Sequence, residues 1–174
     1  MAYTTINKST DYFNTKLYTG NGGTQSITGV GFQPDWVWIK NRADTDWHFL
    51  TAAVRGVTKT IHSNTNNAES TQATALTAFG TDGFSVGNDT AVNANSENIV
   101  AWNWKANGQG SSNTDGSINT TYTSVNTTAG FSISKYTGTG ANATIGHGLG
   151  VTPSMIIVKN LDTIDKIKEF MPET

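Results

Sequence analysis

Hydrophobic residues along the chain recur mostly at every second position, in short runs separated by Gly, Asn, Asp, Ser and Thr. Period-two runs bounded by turn residues predict strands. They fall at residues 13–18, 24–28, 47–54, 57–63, 83–86, 98–105, 121–126 and 130–136, with residues 72–79 read as a strand or an irregular segment. The run at 98–105 alternates most clearly, with Val100, Trp102 and Trp104 on one face and Ala101, Asn103 and Lys105 on the other. Large side chains bury large areas, so Trp102 and Trp104 are expected to face the core. The run at 35–40 is apolar on both faces and reads as a central, covered strand. Residues 90–96 read as an Asn-rich loop. Residues 161–170 place Leu161, Ile164 and Ile167 at a three-residue spacing with Lys and Glu between them, which predicts a short amphipathic helix. About ten short strands with regular turn signals point to an all-β, antiparallel β-sandwich or barrel.

One stretch occurs twice. Residues 18–41 read YTGNGGTQSITGVGFQPDWVWIKN, and residues 136–160 read YTGTGANATIGHGLGVTPSMIIVKN. Tyr18, Gly20, Gly22 and Ile27 match Tyr136, Gly138, Gly140 and Ile145 at an offset of 118. After one inserted residue, Gly31, Pro34, Lys40 and Asn41 match Gly150, Pro153, Lys159 and Asn160 at an offset of 119. The Asn21-Gly22 pair carries a strong hairpin signal. The repeat divides the chain into an arm (1–12), a β-sandwich module (13–105), a Gly/Ser/Asn-rich flexible linker (106–117), a partial second repeat (118–160) and a tail (161–174). Similarity to the first copy fades after Asn160.

A half-repeat poses a physical problem. A sheet that stops after three or four strands leaves an open edge and uncovered apolar residues, which folded proteins normally pair or blunt. The second copy is completed by packing on the first, by a neighbouring subunit, or by residues beyond a truncation. Tyr136, Met155, Ile156, Ile157 and Val158, with Ile164 and Ile167 of the tail, are the candidate assembly contacts.

Composition narrows the function classes. Charged residues make up 14% of the chain, below the roughly 25% of ordinary domains. The net charge of −2 gives no basic footprint for nucleic acid and little self-repulsion against assembly. The chain has no Cys, which excludes disulfides and thiolate metal sites. The apolar runs are too short to span a membrane. The first residues lack a basic region followed by an apolar stretch, so no signal peptide and synthesis in a cytoplasm are expected.

Candidate chemistry is sparse. Asp44, Asp46 and His48 share one polar turn but lack the converging geometry that a metal requires, so no metal or other cofactor is expected. Asp35, Glu69 and Glu97 have no pairing that suggests general acid–base work, and no enzyme activity is expected. Among five tryptophans, Trp36 and Trp38 are replaced by Met155 and Ile157 in the second copy, which favours packing over ligand stacking. Trp47, with His48 beside it, is the candidate glycan contact.

An ordered set of motifs adds a resemblance. The opening MAYTTINKSTDYFNT, the YTGNGG turn, GFQPDWVWIKNR, VRG at 54–56, SNT at 63–65, TAFGTDGFSVGND, VAWNWK and the long echo TTAGFSISKYTGTGANATIGHGLGVTPSMIIVKN are similar to a family of tailed-bacteriophage structural proteins of marine phages and prophages. Those proteins are built from tandem jelly-roll or lectin-like β-sandwich modules. The resemblance implies a virion component such as an appendage, fibre or head-surface protein. Its implied partners are other virion proteins and further copies of itself, with a host-surface glycan as the alternative. It supplies no catalytic residue.

Overall fold

The computed structural model describes residues 6–171. Of the arm expected at 1–12, residues 1–5 lie outside the described range, as do residues 172–174 of the tail. Among the described residues, a 3₁₀ turn at Ser9–Asp11 leads into thirteen strands and one short helix. Among the described residues, every ladder between strands is antiparallel. The chain is an all-β sandwich.

The first module builds two packed sheets. The larger holds β1 (Phe13–Thr19), β3 (Trp36–Asn41), β4 (Phe49–Ala52), β5 (Lys59–Ile61), β6 (Ser70–Thr71) and β9 (Asn98–Trp104), in the order β1-β9-β3-β4-β5-β6. The smaller holds β2 (Gln25–Thr28), β7 (Leu76–Gly80) and β8 (Gly83–Val86), in the order β2-β8-β7. Between them lies the core of Val37, Ile39, Phe49, Ile99 and Ala101 from the large sheet and Ile27, Leu76, Phe84 and Val86 from the small one. The segment 35–40 is therefore the covered inner strand that its two apolar faces require.

The turn at residues 20–23 is a corner, not a hairpin. Strands β1 and β2 on its two sides pair with β9 and β8 in different sheets. The corner is held from outside by the segment entering β9. Gly20 N donates to Glu97 O, Gly22 N donates to Asn93 O, and Ser96 N donates to Gly20 O. Asn93, fully buried, donates through Nδ2 to Asn21 Oδ1 at 3.0 Å and accepts from Asn21 N at 3.0 Å. Backbone groups thus approach so closely that a Cβ on Gly20 would lie 2.0 Å from Ala94 O. Within the stretch 90–96, residues Thr90–Asn93 form a helical turn, α1, instead of the expected loop. Asp89 caps it by accepting from Ala91 N.

The two faces of β9 are the reverse of the expectation. Ala101 and Asn103 point into the core, fully buried, while Trp102 and Trp104 lie half-buried on the outer face of the large sheet. Asn103 is accommodated inside because its Nδ2 donates to Asn14 O and Ala101 O. Residues 106–117 are not free coil either. Ala106 is buried and its N–H donates to Asp35 Oδ2 at 2.7 Å, and Ser111 bridges to Thr123.

The second unit forms β10 (Tyr122–Asn126) and β11 (Phe131–Lys135), paired together, and β12 (Ile156–Val158) and β13 (Lys168–Phe170), paired together. The expected helix at 161–170 is absent: its last residues are β13. The β12–β13 hairpin continues the internal repeat past Asn160. Ile156↔Phe170, Ile157↔Glu169 and Val158↔Lys168 reproduce, at the offset of 119, the first module's Val37↔Thr51, Trp38↔Leu50 and Ile39↔Phe49. Side chains diverged while the backbone register was kept.

Candidate functional site

Alternation along β1, β9 and β3 places Phe13, Trp102, Trp104, Trp36 and Trp38 on one face, while Tyr18 of β1 packs against the core on the other. Cross-strand pairing sets Phe13 beside Trp104, Trp104 beside Trp36, and Trp102 beside Trp38. Trp36 and Trp104 stack at 4.6 Å between ring centroids, Phe13 sits 4.8 Å from Trp104, and Trp38 meets Trp102 edge-on at 5.9 Å. This outer face is partly covered by the second unit. Phe131 of β11 lies parallel to Trp36 at 5.8 Å and over Trp104 at 6.3 Å. Glu69 N donates to Leu161 O and Asp165 N donates to Asn66 O, which ties the tail to the 64–69 loop.

Between the tryptophan face and the β12–β13 hairpin runs a cleft of about 430 Å³. Trp36, Trp38 and Leu50 line it from the first module, Ile157 and Ile167 from the second. Asn64, Asn66, Lys166 and Glu169 supply its polar groups. His48 borders this face: its Nδ1 accepts from Trp38 Nε1 at 2.8 Å, which requires the unprotonated ring nitrogen. Burial, and then the charge of Lys40, push the His48 pKa below the ordinary imidazole value, in keeping with that role.

Trp47 and His48 do not form one contact surface. Neighbours in an extended segment point to opposite faces, and Trp47 lies edge-on to His62 at 5.0 Å, in a shallow depression with Asp46, Gln72 and Asp89. Trp47 is 47% exposed. The tryptophans that line the cleft are Trp36 and Trp38, and their place there follows from how the second unit packs, which strand alternation does not encode.

The assembly candidates separate into two groups. Met155, Ile156, Ile157, Tyr136 and Ile164 are exposed, while Val158 and Ile167 are half-buried. The first-module counterparts differ sharply. Val37 is fully buried where Ile156 is 45% exposed. Tyr18 donates its hydroxyl to Val92 O at 2.6 Å, with its pKa pushed up by burial, where Tyr136 is exposed.

Asp35, Glu97 and Glu69 each bond to a residue distant in the chain. Asp35 accepts from Ala106 N, Glu97 from Asn41 Nδ2, and Glu69 from Arg55 Nη1 at 2.7 Å. Asp46 accepts from Asn41, and Asp44 accepts from Thr45 N. No cluster of three or more His, Cys, Asp or Glu side chains converges among the described residues. No helix among the described residues is long and apolar enough to cross a membrane.

The chain matches a family described as a domain of unknown function, DUF7483, over residues 8–170. No curated protein and no solved structure matches it.

Proposed function

We propose that this chain, which belongs to the DUF7483 family, is a non-enzymatic structural component of a tailed-phage particle that assembles through its second copy. The observation that carries the assembly reading is the contrast between echoed positions. Ile156 and Ile157 are 45% and 41% exposed on a strand whose first-module counterpart is an inner strand. Apolar residues left open on a sheet edge favour association with another polypeptide. The phage context rests on the resemblance of the ordered motifs from residue 13 to residue 160. Low charge is consistent with close packing in a shell or appendage.

The test is particle composition. Particles purified on a density gradient should contain the chain in a fixed copy number, and a chain shortened by residues 118–174 should not incorporate. Absence from particles, or normal incorporation of the shortened chain, overturns the proposal.

The cleft supports a second reading as a glycan-binding module. Trp36 and Trp38 would give a sugar ring an aromatic wall to pack against, and Asn64, Asn66, Lys166 and Glu169 would offer hydrogen bonds to its hydroxyls. Binding on a glycan array that disappears in Asn64→Ala and Lys166→Ala but survives Trp47→Ala would favour it. Silence across host-surface glycans would remove it.

A further inference from the structure

Trp38 is held in the cleft wall by a titratable side chain. It pairs with Leu50 across β3 and β4, and His48, two residues before Leu50, lies diagonally beside it. The two rings meet edge-on at 5.7 Å, and the Trp38 indole N–H donates to His48 Nδ1 at 2.8 Å. An indole N–H can only donate, so this bond exists only while Nδ1 carries no proton. The His48 backbone fixes a second part of the wall, because its N–H donates to Asn64 Oδ1 at 3.0 Å. Trp38 and Asn64 both line the cleft. All three residues belong to the first module.

We propose that His48 is an acid-released latch on the cleft. The neutral ring accepts from Trp38 and holds the indole in the wall. A proton taken from solvent onto Nδ1 sets one N–H against another, and two donors at that separation must part. The remaining ring neighbours of Trp38 are Trp36 at 6.2 Å and Trp102 at 5.9 Å, and neither supplies a hydrogen-bond acceptor to replace Nδ1. The inference adds regulation to the glycan reading and rests on it for its use, while the latch itself needs no ligand.

His62 cannot act in place of His48. Its Nδ1 faces His48 O at 2.8 Å and therefore already donates, so a second proton on Nε2 leaves that bond intact. Charged groups approach His48 from several elements. Lys40 on β3 acts against its protonation, with Nζ anchored on Asn41 O and Asp44 O. Asp44 and Asp46, earlier in the same turn, accept from Thr45 and Asn41. Glu69 of the 64–69 loop pairs with Arg55, and Lys166 and Glu169 of the second unit line the cleft with Trp38. Burial and then Lys40 lower the His48 pKa, so the latch opens below the ordinary imidazole value of about 6.5.

The test is a pH titration of the full chain by nuclear magnetic resonance, with the Trp38 indole signal assigned from Trp38→Phe. As pH falls from about 8 to about 4.5, through the imidazole range, the Trp38 indole proton should move upfield in step with protonation of the His48 ring. Backbone amides of the buried Val37 and Ile99 should stay in place over the same interval. In His48→Gln, whose side-chain oxygen accepts without titrating, the indole proton should hold its neutral-pH position throughout. A Trp38 indole that does not follow His48 overturns the inference. So does a transition that survives in His48→Gln, or loss of the fold before His48 takes up a proton. Failure of the cleft to bind any glycan removes the glycan reading alone, since no step of the titration uses a ligand.

Discussion

Asn41 and Glu97 meet across 56 residues of chain, with Nδ2 of the fully buried Asn41 donating to a carboxylate oxygen of the half-buried Glu97. The bond joins the end of β3 to the entry of β9, so it ties both edges of the central ladder together. Replacing Asn41 with Ala leaves that carboxylate short of a donor. The expected loss is about 2 kcal/mol, in the range for hydrogen bonds to charged groups. Asn160→Ala, at the exposed counterpart, should cost under about 0.5 kcal/mol. Urea unfolding of the two variants checks the contrast, and equal losses would refute the asymmetry between the copies.

Phe131 is the main aromatic contact between the two units, lying over Trp36 and Trp104. Phe131→Ala removes a half-buried ring and its stacking, with an expected loss of about 2 kcal/mol. Tryptophan emission should shift to the red as Trp36 and Trp104 gain water. Proteolysis between residues 106 and 121 should accelerate. Unchanged emission would mean that the tryptophan face does not depend on the second unit for cover.

These contacts mark where the sequence was readable. The centrality of β3 was legible because Trp36 to Ile39 is apolar on both faces. The echo set Ile156 against Val37, and the structure leaves Ile156 45% exposed where Val37 is fully buried. The tail misled because a spacing of three at Leu161, Ile164 and Ile167 imitates a helix. The β13 strand is instead fixed by backbone register, with Lys168 and Glu169 standing where Phe49 and Leu50 do in the first module. On β9, side-chain size is a poor guide to which face meets the core. Close sheet packing favours Ala101 inside, and hydrogen bonding to Asn14 and Ala101 makes Asn103 acceptable there. The large rings then need a second layer, which residues 118–171 provide in part. The cleft depends on that docking and on contacts such as Asp165 to Asn66, which no local pattern encodes.

His62 is buried against Phe49 and Trp47, with its Nδ1 on His48 O at 2.8 Å. Burial depresses its pKa below the ordinary value, outweighing the bond to His48 O and the charge of Asp89. His48 is depressed as well, by burial and Lys40. Below an unfolded value of about 6.5, the unfolded chain takes up protons that the folded chain refuses. Stability is therefore full above that pH and falls as pH drops through it. The melting temperature should decrease between pH 7.5 and 5.5 and change little between 7.5 and 8.5. His62→Phe should flatten the slope while lowering stability at neutral pH. An unaltered slope in that variant would exclude His62 as a source.

Arg55 and Glu69 form a buried ion pair at 2.7 Å, with side-chain exposures of 6% and 15%. Arg55 also donates to Leu50 O and Lys59 O, so one guanidinium fastens β4, β5 and the segment before β6. Burial lowers the Arg55 pKa, and the bond and charge of Glu69 oppose that shift. Removing one partner strands the other charge in a poorly solvated site. Arg55→Met and Glu69→Leu should each cost about 3 kcal/mol, and the double variant should cost less than the sum of the two. Chemical denaturation of all four forms measures the coupling. Strict additivity would mean that Arg55 acts through Leu50 O and Lys59 O alone, with no energetic contribution from its carboxylate partner.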